Sequence, residues 1–414
     1  MQRILDAPSL LASLSRIGNW TSALAGCAAP SGLLAPVKAR VPGASKVELI
    51  VATTRKRTDP SEMFSGARGN PTLDFADIVV SIPPDGQRQI GEVQKPHEIP
   101  GNPATDFVTL QAEYETRAEA LASFRRLLRQ TPGKNVLVFV HGFNNRFEDA
   151  VFRYAQIVHD SGATAVPVLF TWPSRGSVFA YGYDHESASY SRDALEDGLR
   201  FLAKDPEVKE VTVLAHSMGN WVTLEALRQM AIRDGRVAEK IRSVILAAPD
   251  VDIDLAREYV MTMGERRPHI TLFVAQDDRA LAVSRKVWGA QRLGSIDPDE
   301  EPFKSALERE KIQVVNLTGV TSPDQLRHGT FAENPQIVEL IGRAIAGGQV
   351  LTDSRVGIGE KIVQTTADAA ASVGHAAGLI VSAPVAIVDP DTREHYGDQL
   401  DAFSRSVADT ARPQ

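Results

Sequence analysis

Cysteine is almost missing from this chain of 414 residues; the single one is Cys27. One thiol excludes an internal disulfide framework and any metal site built on several cysteines. Also missing are the Walker-type phosphate loop, the G-x-G-x-x-G dinucleotide loop and the H-E-x-x-H zinc pattern. No segment repeats at a fixed period. Basic residues are not concentrated: 45 Lys and Arg against 52 Asp and Glu give a net charge of −7. That balance excludes the basic face a nucleic-acid partner needs. Long uncharged runs are scarce. Residues 369–388 form one of membrane length, but it is mostly Ala, Gly and Ser and contains His375 and Pro384. Its hydrophobicity is poor for insertion, so it reads as a helix packing on the domain or on a partner.

What is present describes an ordinary globular protein, with 43% hydrophobic and 23% charged residues. Its length suits one large domain with appendages. Residues 1–45 read as a lipoprotein-type signal and a Pro/Gly/Ala-rich linker, 46–349 as the domain, and 350–414 as an Ala/Gly-rich tail whose end, from 389, looks mobile. The signal rests on Leu24-Ala25-Gly26-Cys27, with Arg3 and Arg16 upstream. Asn19, Thr21 and Ser22 dilute its apolar stretch, and Asp6 is unusual there. Two readings stand: an enzyme hung from the cell envelope by acyl chains on Cys27, facing the periplasm, or a disordered N-terminus with a chance cysteine on a cytoplasmic protein.

Residues 47–53 and 77–82 are the first strands, expected as an antiparallel edge, with the polar stretch 55–70 between them a loop. Residues 87–106 are irregular, and 117–129 carry helical spacing. From residue 135 strand, loop and helix alternate. Strands fall at 136–140, 165–170, 211–214, 241–247, 270–274 and 312–317, with helices at 147–158, 187–202, 221–232, 253–263, 281–287 and 335–346. Continuous apolar runs are what strands buried on both faces require. The fold class is therefore α/β, a mostly parallel central sheet with helices on both faces and antiparallel N-terminal strands.

The chain is organised around residues 211–221, VTVLAHSMGNW. An apolar strand runs into Ala215-His216-Ser217-Met218-Gly219, and an amphipathic helix follows. A serine at the apex of such a turn is the nucleophile elbow of α/β-hydrolases. Gly219 fits its G-x-S-x-G pattern, and Ala215 replaces the first Gly. Serine needs a base, and the base needs a group that fixes its tautomer. In this fold the chain order is Ser, acid, His. Asp250, Asp277 and Asp278 all follow strands. The second strand after the nucleophile selects the adjacent pair, and Asp278 is chosen because it opens the next helix. Asp277 is the nearer competitor and Asp250 the farther; an Asp at a helix start also serves as an N-cap. For the base, His328 lies in a loop between the last strand and last helix, whereas His375 and His395 lie in the tail. The oxyanion donors are expected to be the backbone N–H groups of Met218 and of Phe143, in His141-Gly142-Phe143-Asn144. His141 and His216 precede the acid and are expected to shape the turns. Tyr181-Gly182-Tyr183-Asp184, with Trp172, either lines the pocket or packs a lid loop.

These motifs in order resemble the α/β-hydrolase superfamily and, over residues 136–346, a bacterial esterase/lipase-like family of unassigned physiological function. Similar segments are Ala52-Thr53-Thr54-Arg55, Phe64-Ser65-Gly66-Ala67-Arg68-Gly69 and Thr171-Trp172-Pro173-Ser174. The resemblance implies the triad and a lipase-like fold, and members often look like lipoproteins. The expected activity is serine hydrolysis of small-molecule or lipid carboxylic esters, with no metal or organic cofactor. Two alternatives remain: an envelope-associated binding or scaffold protein on a hydrolase fold, and an acyltransferase using the same serine.

Overall fold

The computed structural model describes residues 32–347. Cys27 with the 1–26 signal, the 369–388 stretch, His375, His395 and the remaining tail from 350 lie outside the described residues.

In chain order the elements are β1 (Ser45–Thr53), β2 (Arg55–Arg57), β3 (Phe64–Arg68), β4 (Asp74–Ile82), β5 (Val108–Glu115), α1 (Arg117–Gln130), β6 (Asn135–Val140), α2 (Phe147–Ser161), β7 (Val166–Thr171) and α3 (Tyr181–Lys204). The second half adds β8 (Glu210–His216), α4 (Gly219–Asp234), β9 (Ile241–Ala247), α5 (Ile253–Met263), β10 (His269–Val274), α6 (Arg279–Trp288), α7 (Phe303–Arg309), β11 (Gln313–Asn316), α8 (Thr330–Glu333) and α9 (Pro335–Gly347). Nine strands form one sheet in the order β11-β10-β9-β8-β6-β7-β1-β4-β5. All neighbours from β11 to β1 are parallel; β4 and β5 are antiparallel. The α/β class with a mostly parallel sheet and antiparallel N-terminal strands is thus what the chain adopts.

Strand alternation sorts the apolar residues onto the two faces. In β6, Val136, Val138 and Val140 join a cluster covered by α1, α3, α4 and α5, while Leu137 and Phe139 join one covered by α2, α8 and α9. With both faces covered, the open ends of the strands are where loops can build a site.

Three expectations need correction. Residues 55–70 are not simply a loop: β2 and β3 pair antiparallel as a separate small sheet. Their charged and glycine-containing sequence hides this, because cation–π stacking of Arg57 on Tyr114 and of Arg68 on Tyr183 supplies packing that apolar residues usually give. β1 is not at an antiparallel edge, since it pairs parallel to β7 on its other side. The edge is β5, a strand the sequence did not suggest. Part of the stretch read as linker packs onto the domain: Leu33 and Leu34 are buried, and Val37 N–H donates to the Thr109 carbonyl. Among the described residues no helix is long and apolar enough to cross a membrane.

Candidate active site

β8 delivers the chain to Ser217, and α4 carries it away from Gly219. Ser217 has φ +52°, the left-handed region that an L-residue occupies at a cost. The turn is held by the Ser217 N–H donating to Ala247 O (3.0 Å) and by Asn220 Nδ2 donating to Ser217 O (2.8 Å). Position 219 must be glycine, because a Cβ there would lie 2.4 Å from His141 O and 2.5 Å from Val140 O. The side chain of Ser217 is buried, and its Oγ makes no hydrogen bond among the described residues.

Asp278 sits at the N-cap of α6, after β10. Its Oδ1 accepts from Leu281 N–H at 2.9 Å, and its Oδ2 accepts from His328 Nδ1 at 2.6 Å. Burial opposes the imidazolium of His328, but the Asp278 carboxylate, helped by Asp250 and Asp324, holds the pKa above the ordinary imidazole value. The loop bearing His328 is fixed by Asp324, whose carboxylate accepts from the N–H groups of Leu326 (2.9 Å), His328 (2.8 Å) and Gly329 (3.2 Å). Burial works against that carboxylate, yet the three donors keep its pKa below the usual range.

His328 reaches the nucleophile region through His216. His216 Nε2 donates to the His328 carbonyl at 3.1 Å, and the two rings lie 4.7 Å apart. Burial, with repulsion from His328, keeps His216 neutral far below the ordinary imidazole range. The other two carboxylates are engaged elsewhere. Asp277 pairs with Arg327 and accepts from Gly319 N–H. Asp250 accepts from Tyr181 Oη and Ser284 Oγ, each at 2.6 Å, and pairs with Arg292 at 3.2 Å.

The loop after β6 lies against the serine. A Cβ on Gly142 would be 2.8 Å from Ser217 Cβ, so glycine permits this approach. The N–H groups of Phe143 and Met218 donate to no other group among the described residues. Beneath the loop lies a residue whose role the sequence did not disclose, Arg55. It is fully buried with no carboxylate in direct contact; instead Nε donates to Thr171 Oγ1 (2.7 Å), and the terminal nitrogens reach Ser174 O (2.9 Å), Asn145 O (2.9 Å) and His141 Nε2 (3.3 Å). Burial lowers its pKa to about 10, with Glu148 and Asp184 partly countering. His141 is hydrogen bonded at both nitrogens and stacked on Trp172 at 4.9 Å. Its burial, aided by Arg55, lowers its pKa to about 3, so it stays a neutral strut.

Of the aromatic residues first suggested, Trp172 and Tyr183 are engaged away from the serine, and Tyr181 joins a series of rings beside the Phe143 loop. Trp172 is fully buried under the loop, its indole N–H donating to His141 O. Tyr183 packs against Arg175 and Arg68. Tyr181 begins α3 rather than a loop and touches Phe143 (4.9 Å) and Trp288 (5.7 Å). His185 then bridges Trp288 (5.2 Å) to Trp221 (4.5 Å), so rings run on from the Phe143 loop. A cavity of about 720 Å³ under α1 and α3, lined by residues such as Leu73, Phe124 and Phe170, includes none of these groups. Among the described residues no cluster of three or more His, Cys, Asp or Glu is placed to hold a metal ion.

Residues 116–344 match the family model described as "Alpha/beta hydrolase of unknown function (DUF900)". An uncharacterized protein of Nostoc sp. (strain PCC 7120) is 26% identical over 133 residues, covering 26% of this chain and 34% of its own length. The chain therefore spans about a third of that curated relative. Among solved structures, a lipase-esterase related protein from Clostridium acetobutylicum ATCC 824 is similar with a TM-score of 0.28 and 13% identity, over 51% of this chain and 95% of that one.

Proposed function

Since the chain belongs to this α/β-hydrolase family of unknown function, we propose that it is a serine hydrolase of carboxylic esters working through an acyl-enzyme. Ser217 Oγ attacks the ester carbonyl carbon while His328 Nε2 accepts the hydroxyl proton. Asp278, hydrogen bonded to Nδ1, fixes the tautomer that leaves Nε2 free and stabilises the imidazolium that forms. The N–H groups of Phe143 and Met218 hold the oxyanion. The tetrahedral intermediate expels the alcohol, which takes the proton from His328. Water then attacks the acyl-enzyme by the same route and releases the acid and Ser217.

The observation that carries this reading is the 2.6 Å hydrogen bond from His328 Nδ1 to Asp278, on a loop whose carbonyl is bound by His216, the residue before Ser217. The ring series from Phe143 to Trp221 favours acyl or aromatic substituents on the ester. Labelling of the purified chain with a fluorophosphonate tests it. Modification is expected on Ser217 and lost in His328→Ala; a folded protein that takes no label would overturn the proposal. The proposed location is the cell envelope, through lipid on Cys27. Cys27→Ser should move the chain from the membrane to the soluble fraction, and identical distributions would refute the anchor.

A further inference from the structure

Six of the eleven large apolar side chains exposed among the described residues gather round the candidate site: Val178, Phe179, Val283, Val287, Trp288 and Leu326. Phe179 is 97% exposed. The contacts of their neighbours join them into one area. Tyr181, two residues after Phe179, places its hydroxyl 3.3 Å from Ser284 and its ring against Trp288. The Leu326 carbonyl accepts from the Arg279 N–H that begins α6. Single exposed apolar residues are ordinary, but a group gathered on one face marks a surface made to be covered.

Helix α6 shows what covers it. Leu281 and Ser284 face inward, leaving Val283 and Val287, four residues apart, on the outer stripe. The same helix carries Arg279, Arg285 and Lys286 and no acidic residue after its cap. None of these three, nor Arg175 in the facing segment, pairs with a carboxylate among the described residues, whereas nearby Asp277 and Asp250 are already engaged by Arg327 and Arg292. Exposed valine and tryptophan between uncompensated cations is the composition of a helix lying at an anionic lipid interface. The area lies on the segments that carry Asp278 and His328 and on the one that touches Phe143 through Tyr181, so a lipid surface seated there would present its esters beside the candidate site.

We propose that this face docks the enzyme onto an anionic lipid surface, and that the substrates are acyl esters drawn from that surface. The substrate half rests on the ester-hydrolase reading above; the docking half does not. Flotation of the full chain with vesicles of phosphatidylglycerol and phosphatidylcholine, against phosphatidylcholine alone, tests docking, and the fluorophosphonate label reports on the site separately. Wild type should partition about tenfold better onto the anionic vesicles. Phe179→Ser with Val287→Ser should lower that binding about tenfold, and Arg285→Glu with Lys286→Glu should abolish the anionic preference, with labelling of Ser217 unchanged in both. Three results overturn docking: no flotation of wild type, undiminished flotation of both variants, or a wild-type dimer in sedimentation that the Phe179 and Val287 changes dissolve. Flotation as expected with no label on Ser217 would keep the surface and remove the ester reading.

Discussion

Asp278 and His328, fifty residues apart in the chain, share a 2.6 Å hydrogen bond, and the same carboxylate caps α6 through its other oxygen. Cap and partner are therefore one group: the fixed end of a helix aims the second oxygen at the imidazole. The N-cap role that the sequence offered for an Asp at a helix start and the contact with His328 coexist in one side chain.

Asp278→Asn is expected to keep the cap, which an Asn side chain also makes, and to lower kcat by about 10³–10⁴ by favouring the wrong imidazole tautomer. Because His328 must be neutral to accept a proton, activity in the wild type falls as pH drops through a point above the ordinary imidazole value. The Asn variant loses the charge that raises this point while burial still lowers it, so its acid limb moves to lower pH. Asp277→Asn, which removes a partner of Arg327, should leave kcat within about threefold. A pH–rate profile of both variants checks this, and a loss in Asp277→Asn as large as in Asp278→Asn would reverse the choice between them.

Arg55→Met should cost about 3–5 kcal/mol, since it strands the acceptors on Thr171, Ser174 and Asn145 in a dry interior. Arg55→Lys keeps the charge but cannot span acceptors from three segments, and it should lower kcat more than it raises KM. Thermal melting with steady-state kinetics reads both effects. A wild-type kcat in Arg55→Lys would show that the loop after β6 stands without the guanidinium.

Gly219→Ala drives a methyl group into the carbonyls of His141 and Val140. Backbone cannot yield as a flexible side chain does, so the elbow must open and tilt Ser217 from the loop bearing Phe143. Fluorophosphonate labelling should slow by about 10² or more, and labelling at the wild-type rate would contradict the fit.

Asp77 is buried between Glu48 and Glu115 on neighbouring strands, with Arg126 only partly compensating, and its pKa rises to about 7. The folded chain thus keeps a proton that the unfolded chain gives up near the ordinary carboxyl value. Stability from this group is present in acid and lost as pH rises toward 7. Asp77→Asn should raise Tm by about 2–4 °C at roughly pH 8, with the gain shrinking as pH falls toward about 4. An equal or lower Tm at the higher pH would count against the buried charge.

The parallel sheet was legible because its central strands are mostly apolar runs that alternate with helical spacing. The elbow was legible because strand, small residues, serine and helix sit within eleven consecutive positions. The sequence preferred Asp278 over Asp277 because it opens the next helix, and in the fold Asp278 reaches His328 while Asp277 pairs with Arg327. Arg55 was illegible as a support: its partners at 141, 145, 171 and 174 come from segments that meet only in the fold. β5 was missed because Val108–Glu115 mixes Gln and Glu among its apolar residues, as an edge strand can. Trp172 looked like a pocket wall because a tryptophan after a strand is ambiguous until the stacked His141 is seen.

The carbonyl that His216 holds belongs to a residue 112 positions later in the chain. During synthesis the elbow leaves the ribosome long before the loop that completes its surroundings, and the earlier histidine beside the serine, His141, is already bonded at both ring nitrogens. A nascent or prematurely terminated chain therefore has the serine without its partner. On the proposed chemistry, lipid esters in the producing cell meet a working enzyme only after translation has passed His328.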